Sequence, residues 1–426
     1  MRIAVLGYGT RGDTQPFVVL ARALRKAGHE AWVGAPENHQ AFVEKSRVPF
    51  RPLFGDAQEF LHSEQGQKWL ASGNVRELLA GVTDYMHQHR DAILDAVAAA
   101  CAGADAVVAQ VLISGQAGAV AEKHGQRMVL ASTFPMTPTG AFASPFLRRD
   151  FRWRVLNRWS HQLVEKLAWM SQQPDVQHAR QRLGLPRLRR PHWRHLMDRG
   201  VEGVHLYSPL MLGGTPDWET KEHLTGVLVP DEEMRAGLGE GGLSAELERF
   251  LSDGAPPVFL GFGSMPVLDP TAMLTAVHAV ARSQGVRFVV GAGWSRLDAA
   301  LGSSNVLVVE RANHDALFPR CAAVVHHGGM GTTAAALRAG VPSAVLSVFG
   351  DQPFWGRRLV AMGVGVHHPF TALDPALLER VVTALHAPPM RERARALGQR
   401  LAAERGAERA AQLVGEILER TPPLCA

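Results

Sequence analysis

The sequence is poor in cysteine, with three residues, Cys101, Cys321 and Cys425, in a chain of 426. They are too few and too widely spaced for a disulfide framework or for a zinc site built on C-x-x-C pairs. At roughly 150 residues per domain, the chain is long enough for two or three domains with large hydrophobic cores. The cysteine usage therefore predicts a protein that folds without disulfides in a reducing compartment.

Long hydrophobic runs are absent as well. The apolar stretch 106–121 is shorter than the roughly 20 residues that a spanning helix needs. The uncharged stretch 128–147 contains Pro135, Pro138 and Pro145, which suit a bilayer helix poorly. The first residues lead directly into a predicted strand and show no signal-peptide pattern. We therefore expect no transmembrane segment and a cytoplasmic location.

Basic and acidic residues nearly balance, since 45 Lys and Arg against 40 Asp and Glu leave a net charge of +5. The excess is concentrated between Arg180 and Arg199, where seven arginines accompany one acid, Asp198. We interpret this cluster as a solvated face or a partner-facing edge. The alternative is a patch for an anionic substrate or for peripheral contact with a membrane. No aromatic and basic nucleic-acid motif accompanies it, so we expect no nucleic-acid partner, and the oligomeric state stays open.

Short apolar runs alternate with amphipathic stretches in two separate blocks. Strands are predicted in the first block at 3–6, 30–34, 106–109 and 127–131, and in the second at 257–261, 286–291, 306–309, 322–326 and 343–347. This alternation predicts two doubly wound, Rossmann-like α/β domains that face each other across a cleft, with a C-terminal helix closing the chain. A glycine- and proline-containing stretch places the linker at 213–222, so the predicted domains are 1–212 and 223–426.

A glycine-rich loop, Gly-Tyr-Gly-Thr-Arg-Gly at 7–12, follows the first predicted strand. The pattern G-x-G-x-x-G is typical of dinucleotide sites, but Gly34 ends the second predicted strand where such a site needs an acid for the ribose. Asp13 would also repel a pyrophosphate at the start of the helix. Two interpretations of Asp13 remain: a helix cap, or a carboxylate that projects into the cleft.

Three loops of the second block are rich in glycine and polar residues. His327 follows the strand at 322–326 and precedes three glycines and two threonines at a helix start, where exposed N–H groups and the helix dipole suit a diphosphate. Ser264 follows the strand at 257–261, and Asp351 and Gln352 follow the strand at 343–347. Tight packing is the alternative explanation of one such turn, but three at one sheet edge favour a ligand site. The lysine of P-loop NTPases and any Asp-x-Asp pattern are missing, so we expect neither a metal nor another cofactor.

Three segments resemble the nucleotide-sugar glycosyltransferases of GT-B fold, in the branch of sterol 3-beta-glucosyltransferases and bacterial antibiotic and macrolide glycosyltransferases. The segments 326–333 (HHGGMGTT) and 350–356 (GDQPFWG) resemble the donor signature of that branch, and 9–16 (GTRGDTQP) is similar to its N-terminal loop. The motifs occur in the family's order and cover both halves of the chain. We therefore expect the GT-B arrangement of an N-terminal acceptor domain and a C-terminal donor domain.

The resemblance implies a role for each matching residue. Asp13 would be the general base. The donor would contact Ser264, His327, Gly329, Gly331 and Thr332 at its diphosphate, Asp351 and Gln352 at its sugar, and His314 at its nucleobase. Acceptor contacts are expected from Thr10, Phe134, Met136 and Phe142; the last three belong to an insert, about 134–200, rich in Phe, Trp and Met. The alternative for this insert is a pair of amphipathic helices that pack a core of their own.

The implied reaction is a metal-independent, inverting transfer of a hexose from a nucleotide-sugar donor, UDP-glucose, to a hydroxyl of an apolar acceptor such as a sterol or related lipid. Asn313, Ala316 and Thr137 depart from the family pattern. A TDP-deoxysugar transferase acting on a polyketide, macrolide or glycopeptide is therefore the alternative. Two other classes remain open: a non-catalytic nucleotide-sugar binder of the same fold, and an NAD-dependent oxidoreductase.

Overall fold

Two parallel sheets organise the chain, and each has hydrophobic core on both of its faces. The computed structural model describes residues 1–426 except 57–58, 60–62, 64–65, 67–74, 215, 219, 264–266, 268, 294–301, 371–372 and 426, and only the backbone of 75–79. The predicted architecture of two doubly wound α/β domains is confirmed.

The first sheet has the strand order β3-β2-β1-β4-β5-β6-β7. Its strands are β1 (Arg2–Leu6), β2 (Glu30–Pro36), β3 (Phe50–Leu53), β4 (Ala106–Gln110), β5 (Arg127–Ser132), β6 (Glu202–His205) and β7 (Glu222–Leu224). All neighbours pair in parallel. The order reverses between β1 and β4, and ligands of open sheets bind at the carboxyl ends of the strands at such a point.

The second sheet has the order β10-β9-β8-β11-β12-β13, again all parallel. Its strands are β8 (Val258–Gly261), β9 (Phe288–Gly291), β10 (Val306–Val309), β11 (Ala323–His326), β12 (Ser343–Ser347) and β13 (Gly365–Pro369). The reversal lies between β8 and β11, so the loops that follow these two strands form the natural ligand edge of this domain.

Helices connect the strands of both sheets. Those of the first half are α1 (Arg11–Lys26), α2 (Gln40–Lys45), α3 (Val75–Gln88), α4 (Arg90–Cys101), α5 (Ser114–His124), α6 (Arg154–Arg182), α7 (His192–Asp198) and α8 (Glu232–Gly237). Those of the second half are α9 (Ala245–Ser252), α10 (Pro270–Gln284), α11 (His314–Leu317), α12 (Met330–Arg338), α13 (Gln352–Met362), α14 (Pro375–Leu385), α15 (Pro388–Ala402) and α16 (Gly406–Arg420). In the part of the chain that the structure describes, none of the helices combines the length and apolar character needed to cross a bilayer.

The two-residue period of β1 explains how its sheet is covered on both faces. Ile3 and Val5 pack into the core that contains α1 and α16, whereas Ala4 and Leu6 pack into the core of the opposite face with α4 and α5. All four side chains are fully buried, which is why β1 has the continuous apolar sequence of a buried parallel strand.

The connection between the two sheets lies later than the predicted linker. Strand β7, Glu222–Leu224, pairs with β6 inside the first sheet, so 213–222 falls within the N-terminal domain. Gly213 has a φ of +79° and ends a short helical turn rather than a domain. The following helix α8 stays on the first domain through ion pairs of Asp231 with Arg22 and Lys26. The chain therefore enters the second sheet only at β8.

Candidate active site

The loop after β1 holds Asp13 in a defined orientation. Asp13 lies in the first turn of α1, where its Oδ2 accepts hydrogen bonds from the backbone N and the hydroxyl of Thr10, both at 2.9 Å. Gly9, at a φ of +125°, makes room for the carboxylate, because a Cβ there would lie 2.6 Å from Oδ2. The capping interpretation of Asp13 thus holds for Oδ2. Oδ1 has no partner among the described residues.

His39 lies beside this loop, although sequence reasoning did not select it. Its Nε2 is 3.0 Å from the carbonyl oxygen of Gly9. Burial lowers the pKa of His39, while the nearby charge of Asp13 acts in the opposite direction. For Asp13 itself, burial raises the pKa of the carboxyl, and the hydrogen bonds from Thr10 partly offset that rise. His39 follows β2, the strand next to β1, and that position is the signal that would have pointed to it.

The turn after β11 brings His327 and its glycines to the ligand edge of the second sheet. Gly328 has a φ of +95°, and a Cβ there would lie 2.5 Å from Val345, so only glycine fits. The Nε2 of His327 lies 2.5 Å from where a Cβ on Gly329 would be, and its ring approaches Gly263 on the other side. Gly331 and Thr332 open α12, and a Cβ on Gly331 would meet no atom within 4 Å. The start of α12 is therefore an open cluster of backbone N–H donors.

The histidines near this turn are uncharged at neutral pH. Burial lowers the pKa of His327 to about 4 and that of His314 to about 4, and it lowers the pKa of His326 further. His326 accepts a hydrogen bond from the backbone N of Gly328 through Nδ1, at 3.1 Å. His327 can therefore offer a hydrogen bond here, but no positive charge.

Asp351 and Gln352 lie at the start of α13, after β12. The Nε1 of Trp355 donates to Asp351 Oδ2 at 2.7 Å, while burial together with the charge of Asp13 raises the pKa of Asp351 to about 7. Gln352 uses Oε1 to accept from the backbone N of Val348 at 2.8 Å, and also from the next residue. Asp351 and Gln352 are thus adjacent, as predicted. The side-chain oxygen of Gln352 already accepts hydrogen bonds from the backbone of its own loop.

The two halves meet through these loops. The charge of Asp13 contributes to the raised pKa of Asp351, so the carboxylate of the first domain lies near the Asp351 loop of the second. Arg11, two residues before Asp13, forms an ion pair of 2.7 Å with Glu240. The carbonyl oxygen of Glu240 in turn accepts from the side chain of Asn313 at 2.7 Å. A chain of contacts therefore runs from the Asp13 loop to Asn313, the neighbour of His314. Glu240, like His39, was not predicted from the sequence.

His314 belongs to a cluster of aromatic side chains. Its ring stacks on Phe318 with centroids 4.4 Å apart and planes at 15°, and it meets Phe259 at 5.5 Å. Asn313 caps the short helix α11 by accepting from the backbone N of Asp315 at 3.0 Å. Asn313, one of the departures from the family pattern, thus has a structural task as a helix cap, and both phenylalanines that contact His314 are buried.

The predicted acceptor residues separate into two groups. Phe134 has an edge-to-face contact with Phe146 at 5.8 Å, and Met136 is half-buried. Phe142 is 1% exposed and packs against Phe354 at 5.1 Å, with the guanidinium of Arg358 over its ring. Phe142 therefore belongs to the interface between the domains, not to an acceptor surface, because α13 of the second domain covers it.

Most of the arginine cluster at 180–199 is engaged within the protein. Arg180 is 2% exposed and holds Glu122 through two hydrogen bonds of 2.8 and 3.1 Å. Further pairs are Arg182 with Asp91 and Asp95, Arg190 with Asp198, and Arg194 with Glu165. The cluster is thus largely a set of ion pairs around α6 and α7.

The predicted diphosphate contact Ser264 lies outside the described residues. Among the residues that are described, no group of three or more His, Cys, Asp or Glu side chains is arranged to hold a metal ion.

Comparison with known proteins assigns a family. The chain matches the model of the glycosyltransferase family 28 N-terminal domain at residues 3–143, and that of the erythromycin biosynthesis protein CIII-like C-terminal domain at 293–419. It is 36% identical to O-mycaminosyltylonolide 6-deoxyallosyltransferase of Streptomyces fradiae, over 98% of this chain and 98% of that protein. The chain is a GT-B glycosyltransferase. This confirms the family resemblance that the motifs at 9–16, 326–333 and 350–356 carried.

Other relatives of this glycosyltransferase include sterol-modifying enzymes. A sterol 3-beta-glucosyltransferase of Arabidopsis thaliana is 31% identical over 86% of this chain, but the match spans only 59% of the plant protein. Among solved structures, glycosyltransferase VinC in complex with dTDP covers 99% of this chain at 18% identity with a TM-score of 0.68. That likeness supports the GT-B fold.

Proposed function

We propose that this glycosyltransferase moves a hexose from a nucleoside diphosphate to a hydroxyl group of an apolar acceptor, with inversion at the anomeric carbon. The observation that carries the proposal is that the Asp13 loop is joined to the C-terminal domain through Arg11, Glu240 and Asn313, while the charge of Asp13 contributes to the raised pKa of Asp351. It pairs a carboxylate of the N-terminal domain with the sugar-side loop of the C-terminal domain. A sugar held by Asp351 would present its anomeric carbon to a hydroxyl held by Asp13.

In the proposed reaction Asp13 is the general base. The acceptor hydroxyl gives its proton to Oδ1 of Asp13 as its oxygen bonds to the anomeric carbon, and the bond from that carbon to the diphosphate oxygen breaks on the opposite face. Burial raises the pKa of Asp13, which makes the carboxylate a stronger base than an exposed aspartate. The hydrogen bonds from Thr10 hold its orientation.

The leaving diphosphate would be stabilised by α12 without a metal ion. Backbone N–H groups at Gly331 and Thr332 lie at the positive end of the helix dipole. Uncharged His327 adds a hydrogen-bond donor beside them. Ser264 is proposed as a further diphosphate contact and Gly329 as the close backbone approach. Gln352 would offer Nε2 to a sugar hydroxyl, because its Oε1 holds the loop.

Two donor and acceptor pairs fit this site. The first is UDP-glucose with a sterol or a related lipid, which follows the likeness to sterol 3-beta-glucosyltransferases. The second is a TDP-deoxysugar with a macrolide or another polyketide, or a glycopeptide. The full-length match to a 6-deoxyallosyltransferase favours this second pair. His314 is proposed to contact either pyrimidine.

A screen of donors against acceptors tests the proposal. The purified chain is incubated with UDP-glucose or TDP-deoxysugars and with sterols or macrolactones, and the anomeric configuration of each product is read by NMR. We expect transfer to an apolar hydroxyl with inversion. Product with retained configuration would contradict the mechanism. Failure of every tested nucleotide sugar to bind would contradict the proposed donors, whereas tight donor binding without transfer or donor hydrolysis would identify a non-catalytic binder.

A further inference from the structure

Helix α6 and the residue before it expose an unusual number of large apolar side chains. We call this set the apolar stripe. Its members, with the exposed fraction of each, are Trp153 67%, Val155 67%, Leu156 37%, Trp159 66%, Leu163 57%, Leu167 56% and Met170 60%. Single exposed apolar residues are ordinary, but contiguous ones mark a surface that contacts something apolar.

The stripe occupies one side of the helix. At about 100° per residue its six helical members fall within an arc of about 120°, and they extend over about 22 Å of helix. The only charged residue in that arc is Lys166.

The opposite side of α6 is polar where it meets the protein. Asn157, Ser160 and His161 are buried, and Asn157 and His161 bond to the backbone oxygens of Gly140 and Phe142. The usual pattern of a surface helix, apolar inward and polar outward, is therefore reversed along this part of α6. The alternative that the insert packs a core of its own holds for Trp169, which is 9% exposed, but not for the stripe.

Positive charge borders the N-terminal end of the stripe. Arg148, Arg149 and Arg152 are exposed, and within the described ranges none of them takes part in an ion pair. Three acids near α6 are already engaged with other arginines. Asp150 pairs with two arginines of α13, and Glu165 pairs with Arg194. Asp217 pairs with Arg154 and Arg158 of α6 itself. The border of the stripe is therefore a cationic edge without internal compensation.

We propose that the apolar stripe and the three arginines of its border dock this protein on an anionic membrane surface. A helix that lies in the interface inserts Trp and Leu side chains between lipids and places Arg beside their phosphates. A second copy of the chain is a poorer occupant, because pairing two stripes would leave the border arginines of both copies without the anionic partners that a membrane supplies. The docking surface differs from the 180–199 cluster, whose charges are mostly paired.

One exposed aromatic residue connects the border of the stripe to a proposed acceptor residue. Phe146, 39% exposed, precedes Arg148 by two residues and makes an edge-to-face contact with Phe134. If the acceptor is apolar, which rests on the proposed function, docking would bring the cleft close to the bilayer in which such an acceptor dissolves. Membrane binding itself does not depend on that function.

Sedimentation with vesicles tests the proposal on the full chain. The probes are phosphatidylcholine vesicles with and without 30 mol% phosphatidylglycerol, at low and high salt. The stripe variant carries Trp153→Gln, Trp159→Gln and Leu163→Gln, and the border variant carries Arg148→Gln, Arg149→Gln and Arg152→Gln. The matched control is Arg187→Gln with Arg189→Gln, two exposed arginines of the 180–199 cluster. Because all these side chains are exposed, each variant should keep the wild-type melting temperature.

We expect wild type and control to bind the anionic vesicles, with weaker binding at high salt. The border variant should bind on the order of 100-fold more weakly, and the stripe variant at least about tenfold more weakly. Transfer to a water-soluble acceptor without vesicles should be the same in all four proteins. Three outcomes would overturn the proposal: no binding of wild type, a stripe-dependent dimer in light scattering, or a raised KM of the stripe variant for the soluble acceptor. The last would make the stripe part of the acceptor site, and inactivity of all four proteins would instead count against the proposed function.

Discussion

The two glycine loops that meet at the cleft are alike in construction and different in content. Each follows a buried parallel strand and contains a glycine in the left-handed region, Gly9 at +125° and Gly328 at +95°. In the first loop the glycine makes room for a carboxylate, Asp13, whereas in the second it makes room for the neighbouring backbone and Val345. The first loop thus presents a titratable group, and the second presents N–H donors and an uncharged histidine.

This difference suits the first loop to proton transfer and the second to stabilisation of the leaving diphosphate. Proton transfer needs a group that changes its charge, and a raised pKa suits that task. A leaving diphosphate needs fixed donors that do not compete for the proton. Substitutions in one loop at a time should separate the two roles.

Asp13→Asn should separate chemistry from donor binding. Asparagine keeps an oxygen for the Thr10 hydrogen bonds but cannot take a proton. We therefore expect turnover to fall by about 10²-fold or more, with the donor Kd unchanged. Steady-state kinetics and calorimetry with the donor measure the two effects. Asp105→Asn is the matched control, since Asp105 makes an exposed pair with Arg2 at the amino end of β4 and should leave both quantities as they are. Near-wild-type turnover of Asp13→Asn would refute the base.

Asp351→Asn should change how stability depends on pH. Folding raises the pKa of Asp351 to about 7, so the folded protein holds a proton that the unfolded chain releases near pH 4. Wild type therefore loses stability as pH rises from about 4 to 7. Relative to wild type, the variant should gain on the order of 4 kcal/mol over that range and nothing more above it.

Urea unfolding at pH 4, 5.5, 7 and 8 measures this difference. Asparagine can still accept from Trp355 Nε1, so packing is preserved. Asp374→Asn, at the N-cap of α14, serves as the control and should follow the wild-type curve. In the Asp13→Asn background the gain should be smaller, because the charge of Asp13 contributes to the raised pKa. An equal gain in both backgrounds would mean that the two carboxylates are not coupled across the cleft.

Gly331→Ala and Gly12→Ala are equivalent changes in the two loops, each at the second residue of its helix. A methyl group on Gly331 meets no atom within 4 Å, and one on Gly12 meets only the Thr10 hydroxyl at 3.6 Å. Both should gain a few tenths of a kcal/mol in stability. Only Gly331→Ala should weaken donor binding, by about tenfold, because its methyl group occupies the place of the diphosphate. Equal donor affinities of the two variants in calorimetry would remove α12 from the site.

Arg11→Gln should have the smallest effect. It breaks the ion pair with Glu240 that joins the Asp13 loop to the Asn313 loop. Because Arg11 is about one-third exposed, we expect a change of less than about 1 kcal/mol, seen as a rise of a few-fold in donor KM. High salt should reduce the difference between variant and wild type. A loss of turnover as large as that of Asp13→Asn would instead make Arg11 a member of the catalytic machinery.

The sequence predicted the long buried strands of both sheets well, because continuous Val, Leu and Ala runs admit few other structures. It missed β3, β6, β7 and β13, whose sequences FRPL, EGVH, EHL and GVHHP contain charged residues, proline or histidine. These strands are added at or near the sheet edges, where their own apolar content matters less than pairing with a neighbour. The linker was misplaced for the same reason, since β7 gave no apolar signal.

For the site, the sequence indicated residues next to glycine motifs at strand ends and missed those that arrive through tertiary contacts. His39 comes from the neighbouring strand, and Glu240 comes from the connection between the domains. Phe142 looked like a binding residue because it is aromatic, but the packing of α13 against it could not be read from local pattern. Gln352 was predicted as a ligand residue, and its role in holding its own loop depends on backbone geometry alone.

A crystal structure of the chain with a bound nucleoside diphosphate would show where the diphosphate lies relative to Asp13. We expect the terminal phosphate to accept from backbone N–H groups at Gly331 and Thr332, with His327 beside it and with Asp13 Oδ1 facing the phosphate across a gap of one hexose. A diphosphate bound away from the start of α12, or an Asp13 side chain that points away from the cleft in the complex, would contradict this expectation.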